Sequence, residues 1–178
     1  MFKKKGFTLI ELLIVIAIIA ILAGVVFVSL DPLQRFADAR NAARWTDVTA
    51  ILSAIKVDQV DNGGRYLDGP TGFSVADLAA GENFMISNNE TTVPSTGCNT
   101  SCSIVNDGNN CVVLESGTAG LVTDGYLPRI PVSPAGAATW DTDPLDDMTG
   151  YYISRSSTGS ITVGACDAED GETISVSR

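Results

Sequence analysis

The chain has 178 residues and a formal net charge of −10, and 45% of its residues are hydrophobic whereas 18% are charged. This length fits one domain of ordinary size, and the apolar content excludes a disordered acidic tail. The sequence contains no histidine, which excludes catalytic triads that depend on that residue. Because nucleic-acid backbones attract basic surfaces, the acidic balance predicts no general nucleic-acid binding.

The apolar residues are concentrated in one segment near the N-terminus. Lys3, Lys4 and Lys5 precede residues 7–30, in which Glu11 is the only ionisable side chain. About 24 helical residues span roughly 36 Å, enough to cross a hydrocarbon core of about 30 Å. The lysines favour a cytoplasmic N-terminus. The sequence therefore predicts a single-pass membrane protein whose C-terminal part is exported.

Two ordinary explanations of this segment are incomplete. A cleaved secretory signal needs small residues before the cut, but the best site, after Ala23, has the bulky Ile21 two positions earlier. A plain signal anchor accounts for the lysines and the apolar run but gives no reason for the carboxylate of Glu11. The simplest structural interpretation of Glu11 is that its side chain reaches toward the lipid headgroups, because burial of a charge in a membrane costs free energy.

Residues 3–11, with the sequence KKKGFTLIE, resemble the class III signal of type IV prepilins and pseudopilins. The resemblance implies that a membrane-embedded aspartyl prepilin peptidase cuts between Gly6 and Phe7 and methylates the new N-terminus at Phe7. It also implies that Glu11 pairs with an amine of a neighbouring subunit. A carboxylate and an ammonium from adjacent subunits would neutralise each other in apolar surroundings, so this pair is expected to set the register of assembly.

The resemblance also implies the partners and the location of the protein. The partners are other copies of the chain in a helical homopolymer, the prepilin peptidase, an inner-membrane assembly platform and, before assembly, the membrane. The implied product is a structural subunit of a type IV pilus-like filament at the cell surface, without enzymatic activity. A pseudopilin of a type II secretion system shares these motifs. Loss of the three leader lysines would change the formal net charge from −10 to −13.

A second helical segment is predicted after the membrane span. Apolar residues recur at helical spacing between Leu33 and Ile55. Proline removes a helical hydrogen bond, so we expect a single kink at Pro32, and the glycine-rich residues 61–64 predict the end of the helix. These signals divide the chain into a leader peptide at 1–6, a transmembrane and assembly helix at 7–30, an amphipathic helix at 31–62 and a globular head at 63–178.

The amphipathic helix is expected to pack against the globular head through one face. Trp45 and the apolar residues that follow it, up to Val60, are predicted to form that face. Charged residues are expected on the opposite, solvated face: Asp38, Arg40, Arg44, Asp47 and Lys56.

The head is predicted to end in a small antiparallel sheet. Short β-forming segments lie at 112–115, 151–155, 160–168 and 173–177, with turn residues at 157–159 and 169–171. Residues 87–110 are rich in Ser, Thr, Asn and Gly, a composition that predicts a surface loop. A long N-terminal α-helix packed on a C-terminal antiparallel β-sheet gives an α+β fold class, and this arrangement resembles that of pilins.

Four cysteines lie in the exported part of the chain, where disulfides form. Four cysteines allow three connectivities, and the sequence does not choose among them. We expect Cys98 to pair with Cys102, which would staple the surface loop. That pairing leaves Cys111 with Cys166, which would join two strand regions. A metal site at the first two cysteines is the alternative, but their spacing lacks a second close pair.

An acidic loop contains the densest group of ionisable side chains in the head, namely Asp141, Asp143, Asp146 and Asp147. We interpret this loop as a solvated acidic turn and predict no cofactor. The alternative is a structural Ca²⁺, because Ca²⁺ prefers carboxylate and carbonyl oxygen ligands. The resemblance keeps this alternative open, since major pseudopilins of type II secretion systems carry a structural calcium near the C-terminal sheet.

Two other classes of protein would use the same anchor. A membrane-anchored binding module would keep residues 1–6, remain monomeric and tolerate loss of Glu11. A surface-anchored enzyme would have to use the acidic loop, because the sequence has no histidine.

Overall fold

The computed structural model describes residues 6–64, 78–88, 102–105, 110–115, 120–134, 140 and 148–178. The chain divides into two units, Met1–Phe36 and Ala37–Arg178. Two long helices and one five-stranded sheet make up the regular structure of the described residues. The expected α+β, pilin-like fold class is therefore confirmed.

Helix α1 covers Leu9–Leu30, and its segment Leu9–Ser29 has a mean hydropathy of 3.2. By length and composition it is the one helix of the described chain that is able to cross a membrane. Its large apolar side chains are 47–83% exposed. A helix satisfies its own backbone hydrogen bonds, which is the condition for residence in lipid. The apolar surface of α1 consequently remains to be covered by something other than its own unit.

The helical path is interrupted at a single residue, Asp31. Its backbone adopts the left-handed region (φ 35°, ψ 77°), and Pro32 begins the next helix. Proline has no N–H to donate to the Val28 carbonyl and excludes helical geometry at the residue before it. The Asp31 carbonyl instead accepts from the Arg35 amide at 3.3 Å. The interruption expected at Pro32 is therefore present, and Asp31 starts the new hydrogen-bond ladder.

Helix α2 covers Pro32–Asp61. Its buried side chains recur every three or four residues and form one continuous stripe. They are Ala37, Asn41, Arg44, Val48, Ile51, Leu52, Ala54, Ile55 and Asp58. Asn41 and Arg44 near its N-terminal end and Asp58 at its C-terminal end are polar, whereas the residues between them are apolar. Only this middle part packs as an ordinary hydrophobic core.

Two expectations for α2 are wrong. Arg44 does not lie on a solvated face but is fully buried, and Trp45 is 41% exposed instead of packing on the head. The reason is the helical register, because Arg44 precedes the buried Val48 and Ile51 by four and seven residues whereas Trp45 is turned away from them by one position. Val60 is exposed as well.

The end of α2 agrees with the expectation from its glycines. Gly63 and Gly64 have φ of 65° and 95°, a left-handed region that glycine adopts without steric cost. The Gly64 amide donates to the Gln59 carbonyl at 2.7 Å. The Tyr126 hydroxyl donates to Asp61, the last helical residue, at 3.0 Å. Helix α2 is thus closed by its own backbone and by one side chain of the head.

Five strands form the sheet of the head. They are β1 (Asn83–Ser87), β2 (Cys111–Val113), β3 (Met148–Arg155), β4 (Ile161–Ala165) and β5 (Ser175–Ser177), in the order β2-β1-β3-β4-β5. The β1 and β2 pair is parallel, and the other neighbours are antiparallel. The four predicted strand regions are present with shifted ends. Strand β1 is missing from the sequence-based prediction, although it lies between β2 and β3 near the centre of the sheet.

The two faces of the sheet pack against different groups of side chains. One face joins the middle of α2 in the main core, which includes Val48, Ile51, Ile55, Val112, Tyr151, Ile153, Ile161 and Val163. The other face carries a smaller cluster built from Met85, Cys102, Val105, Cys111, Met148 and Tyr152. The sheet is therefore covered on both sides in the head.

The expected disulfide pairing is wrong. The structure joins Cys102 to Cys166, with their Cα atoms 5.2 Å apart. Cys111 is also disulfide-bonded, and Cys98 lies outside the described residues. The strand order explains the correction, because β2, which carries Cys111, lies three strand spacings, about 14 Å, from β4, which Cys166 follows. A disulfide needs Cα atoms within about 7 Å.

The aromatic ring of Tyr152 lies directly over Gly164 of the neighbouring strand. The two residues are partners in the register of β3 and β4. A Cβ atom on Gly164 would lie 2.5 Å from the Tyr152 ring. Only glycine permits this contact.

We expect Gly164→Ala to lower the free energy of unfolding by about 1–3 kcal/mol, because the added methyl group overlaps the Tyr152 ring. Urea unfolding of the full-length chain in detergent measures the change. Thr162→Ala, at a partly exposed position of the same strand, is the matched control and should change stability by less than about 0.5 kcal/mol. Unchanged stability of Gly164→Ala would contradict this packing.

Candidate functional site

The first turn of α1 is held by reciprocal hydrogen bonds between Thr8 and Glu11. Thr8 is the N-cap residue, with extended backbone at φ −80° and ψ 155°. Its Oγ1 accepts from the Glu11 amide at 3.3 Å, and Glu11 Oε2 accepts from the Thr8 amide at 2.7 Å. The Thr8 hydroxyl also donates to Oε2 at 2.7 Å. This capping box satisfies amide groups that the start of a helix leaves unpaired.

The capping box also fixes the position of the Glu11 carboxylate. Both hydrogen bonds that Thr8 donates end on Oε2, and among the described residues no donor reaches Oε1. The partial positive charge of a helix N-terminus favours a carboxylate in the first turn. The Glu11 carboxylate is therefore a preformed acceptor for a cation at this end of α1.

Gly6 and Phe7 lie before the helix and outside regular secondary structure. Phe7 is 86% exposed, and a Cβ atom placed on Gly6 would meet no atom within 4 Å. Nothing in the packing of the described chain thus requires glycine at position 6. The cleavage expected between Gly6 and Phe7 stays a prediction.

The sequence of this N-terminus matches a known protein-family model. Residues 1–27 match the model described as the prokaryotic N-terminal methylation motif. The chain carries this methylation motif. The match covers the N-terminal segment and is consistent with a type IV pilin-like or pseudopilin protein. Comparison with curated proteins and with solved structures gave no significant match.

Cleavage within the methylation motif would leave the cap of α1 intact. The Thr8 amide that donates to Glu11 belongs to the peptide bond between Phe7 and Thr8, whereas the predicted cut lies before Phe7. Hydrolysis would create an ammonium at Phe7, and methylation would keep its positive charge. The mature N-terminus would then contain one cation and one preformed anionic acceptor, four residues apart.

Of the other predicted site residues, the structure brings together Cys102 and Cys166. The four aspartates of the acidic loop, at 141, 143, 146 and 147, lie outside the described residues, as does Cys98. Within the described ranges, no group of three or more Cys, Asp and Glu side chains has the geometry to hold a metal ion. The calcium alternative stays a prediction about a loop whose ends are Trp140 and Met148.

The head contains a polar site that the sequence analysis missed, centred on the fully buried Arg44. Each of its three guanidinium nitrogens donates to two acceptors. These are Ser133 Oγ (3.0 Å), Asp167 Oδ1 and Oδ2 (3.2 and 3.1 Å), Asn41 Oδ1 (2.9 Å), Glu169 Oε1 (3.0 Å) and the Pro134 carbonyl (3.0 Å). Arginine supplies five N–H donors in a planar fork, and here all of them are used.

The two carboxylates that face Arg44 have further donors of their own. Asp167 Oδ1 accepts from Ser133 Oγ at 2.8 Å, and Asp167 Oδ2 accepts from Trp140 Nε1 at 2.9 Å. Glu169 forms a second ion pair with Arg40, one helical turn before Arg44. We call this set of side chains the arginine cluster; it consists of Arg40, Asn41, Arg44, Ser133, Trp140, Asp167 and Glu169.

Charge balance explains why a buried guanidinium is tolerated at this place. Arg40 and Arg44 face two carboxylates, so the cluster carries no net charge. Hydrogen bonds from Arg40 and Arg44 lower the pKa of Glu169 from 4.5 to about 2, and the same contact raises the pKa of Arg40. Removal of one partner from such a buried pair leaves an uncompensated charge, which costs about 3–5 kcal/mol.

The arginine cluster fixes the C-terminal segment, residues 166–172, on helix α2. Asn41 Nδ2 donates to the Glu169 carbonyl at 3.0 Å, and the Glu169 amide donates to Asn41 Oδ1 at 3.1 Å. A separate contact joins α2 to the sheet, because the buried Tyr151 hydroxyl donates to Asp47 at 2.6 Å. Burial, and then this hydrogen bond, raises the pKa of Tyr151. The polar residues of α2 therefore position the sheet and its last loop.

We expect Arg44→Met to lower the free energy of unfolding of the head by about 3–5 kcal/mol, because Asp167 loses its cationic partner in a buried site. Arg40→Met is the matched control, since it removes a partly exposed ion pair and should cost about 1 kcal/mol or less. Urea unfolding of both full-length variants measures the two changes. Equal losses in the two variants would show that burial of Arg44 is not the source of the effect.

The lowered pKa of Glu169 predicts how the stability of the head depends on pH. Because the folded pKa is about 2 and the ordinary value is 4.5, ionised Glu169 stabilises the head above pH 4.5. This contribution decreases as the pH falls from 4.5 towards 2. We expect Glu169→Gln to reduce the decrease in Tm between pH 5 and pH 2.5, measured by thermal unfolding. Asp170→Asn, which changes the next and exposed residue, should keep the profile of the wild type.

Proposed function

We propose that this protein is a structural subunit of a type IV pilus-like filament, processed by prepilin peptidase and polymerised through α1. One observation carries the proposal. The methylation motif at residues 1–27 overlaps helix α1 (Leu9–Leu30), whose large apolar side chains are 47–83% exposed. Type IV pili and secretion pseudopili share this polymerisation step, and the proposal concerns that step.

The exposed apolar surface of α1 is stable only in surroundings that exclude water. Full burial of one Leu, Ile or Val side chain stabilises by about 1.5–3 kcal/mol, and α1 exposes more than ten such side chains. The membrane covers this surface in the precursor. After release from the membrane, the α1 helices of other copies are the covering that the chain itself provides.

Glu11 gives the assembled helices a preferred register. A carboxylate surrounded by apolar helices is costly unless a cation pairs with it. The ammonium created at Phe7 of another copy is such a cation, and the Thr8 cap holds the Glu11 carboxylate in position to receive it. A displaced register would leave both charges unpaired, so the pair selects one arrangement of neighbouring copies.

The outward side of α2 offers a surface suitable for the α1 helix of another copy. It consists of uncharged exposed residues that follow one another along the helix: Ala42, Trp45, Thr46, Thr49, Ser53, Val57 and Val60. The mature chain has a formal net charge of −13, so copies repel one another except along uncharged faces. Contact of α1 on one copy with α2 on the next is heterologous, and repeated heterologous contacts produce an open helical filament.

We expect Glu11→Gln to reduce the yield of sheared filaments from the native cells by at least about tenfold, because the neighbouring Phe7 ammonium loses its carboxylate partner in an apolar environment. Immunoblotting of sheared and cell-bound fractions measures the yield. Asp31→Asn is the matched control, since it removes one negative charge outside the motif and asparagine also tolerates a left-handed backbone. Its filament yield should match that of the wild type.

Intact mass of the wild-type chain recovered from those filaments tests the processing step. A chain that begins at Phe7 and carries one methyl group is the expected result. A chain that begins at Met1 and remains in the cell membrane would overturn the proposal in favour of a membrane-anchored module. A start near Gly24 would indicate an ordinary secreted protein and would remove the role given to Glu11.

A further inference from the structure

Residues 166–172 are attached to the rest of the head from two sides. Cys166 is bonded to Cys102 at the cluster on the outer face of the sheet. The next residue, Asp167, points to the arginine cluster and contacts both Nε and Nη2 of Arg44. We propose that the Cys102–Cys166 disulfide and Arg44 form one coupled lock, in which closure of the disulfide places Asp167 and Glu169 against the guanidinium.

The separations along the chain explain why the disulfide favours the contacts of Arg44 with Asp167 and Glu169. Asp167 and Glu169 lie 123 and 125 residues after Arg44, so their approach closes a long loop at a cost in chain entropy. The disulfide joins residues only 64 positions apart, and it fixes the residue adjacent to Asp167. Once the disulfide has formed, the two carboxylates sample a smaller volume than they would in an open chain, so their approach to Arg44 costs less chain entropy.

Trp140 connects the two halves of the lock physically. Its indole packs on Gly150, where a Cβ atom would lie 2.6 Å from the Trp140 nitrogen, and that nitrogen donates to Asp167 Oδ2 at 2.9 Å. The Cys166 amide donates to the Gly150 carbonyl at 2.9 Å. Gly150 of β3 thus contacts both halves of the lock: its carbonyl accepts from the Cys166 amide, and it packs against Trp140, the donor to Asp167.

Because of the position of Arg44, the packing of α2 on the sheet would be incomplete while the Cys102–Cys166 disulfide is open. Arg44 belongs to the buried stripe of α2 and is followed one turn later by Val48 of the main core. Without Asp167 and Glu169, its guanidinium would face this stripe with two fewer anions, and the uncompensated charge would oppose docking of the helix. The lock therefore couples completion of the helix-to-sheet packing to the oxidation state of Cys102 and Cys166.

Closure of the lock is a balanced redox step. The two cysteine thiols lose two electrons and two protons and form one S–S bond, while the disulfide of a thiol–disulfide oxidant accepts them and leaves as a dithiol. Such oxidants act in exported compartments and not in the reducing cytoplasm. The head would accordingly be completed only after export. This inference does not depend on the proposed filament role, because it concerns the folding of the head of a single chain.

Hydrogen exchange on the full-length chain in detergent tests the coupling. With the disulfide present, Arg44→Met should increase exchange of the amides in residues 166–172 by at least about tenfold. In a Cys102→Ser, Cys166→Ser background, the same substitution should change exchange by less than about twofold, because the segment is already unlocked. A tenfold increase in both backgrounds would make the two attachments independent and would overturn the proposal.

A second measurement keeps the proposal testable where the serine variants fail to fold. Dithiothreitol should reduce the Cys102–Cys166 bond at least about fivefold faster in Arg44→Met than in wild type. Cys102 is only 3% exposed and Cys166 is partly buried, so release of residues 166–172 would make both sulfurs more accessible. Alkylation and mass spectrometry identify the released thiols. Arg40→Met, which leaves the contacts of Asp167 in place, is the matched control and should reduce at the wild-type rate. Equal reduction rates for Arg44→Met and wild type would overturn the coupling.

Discussion

The behaviour of this protein depends on one constraint, which is that water must be excluded from the whole circumference of α1. An amphipathic helix meets this demand by turning one face to a core, but α1 is apolar on every side and its side chains are exposed in the isolated chain. Lipid and a bundle of identical helices are the two environments that satisfy such a surface. In the proposed filament, α1 would pass from the first environment to the second.

The head meets a different constraint, because it must carry a long helix on a small sheet. The apolar middle of the α2 stripe packs in the usual way, while its N-terminal end uses Asn41 and Arg44 to bind a loop that follows β4. A neutral set of two arginines and two acids allows this end of the helix to be polar and buried. The loop next to the disulfide thus becomes part of the helix-to-sheet interface.

Much of this arrangement was predictable from local sequence, and the failures have identifiable causes. Pro32 acts through its immediate neighbours, so the helix break could be predicted without knowing the fold. The cap formed by Thr8 and Glu11 is equally local, but it was not among the predictions. Arg44 was wrongly predicted to be solvated because hydrophobic residues alone do not reveal the whole buried stripe. The spacing through Asn41, Arg44 and Val48 is regular once polar residues are included.

The remaining failures concern contacts that depend on the order of the strands. Strand β1 has a single short apolar run without alternation, and its partners lie more than twenty residues further along the chain. The failure of the expected Cys111–Cys166 pairing likewise follows from the position of β4 relative to β2, which no local signal encodes.

The break at Asp31 would have a mechanical consequence for a chain held under axial tension in the proposed filament. Pro32 has no N–H to donate to the Val28 carbonyl, so the hydrogen-bond ladder has a gap where stretching the helix breaks the fewest bonds, and elongation would begin there.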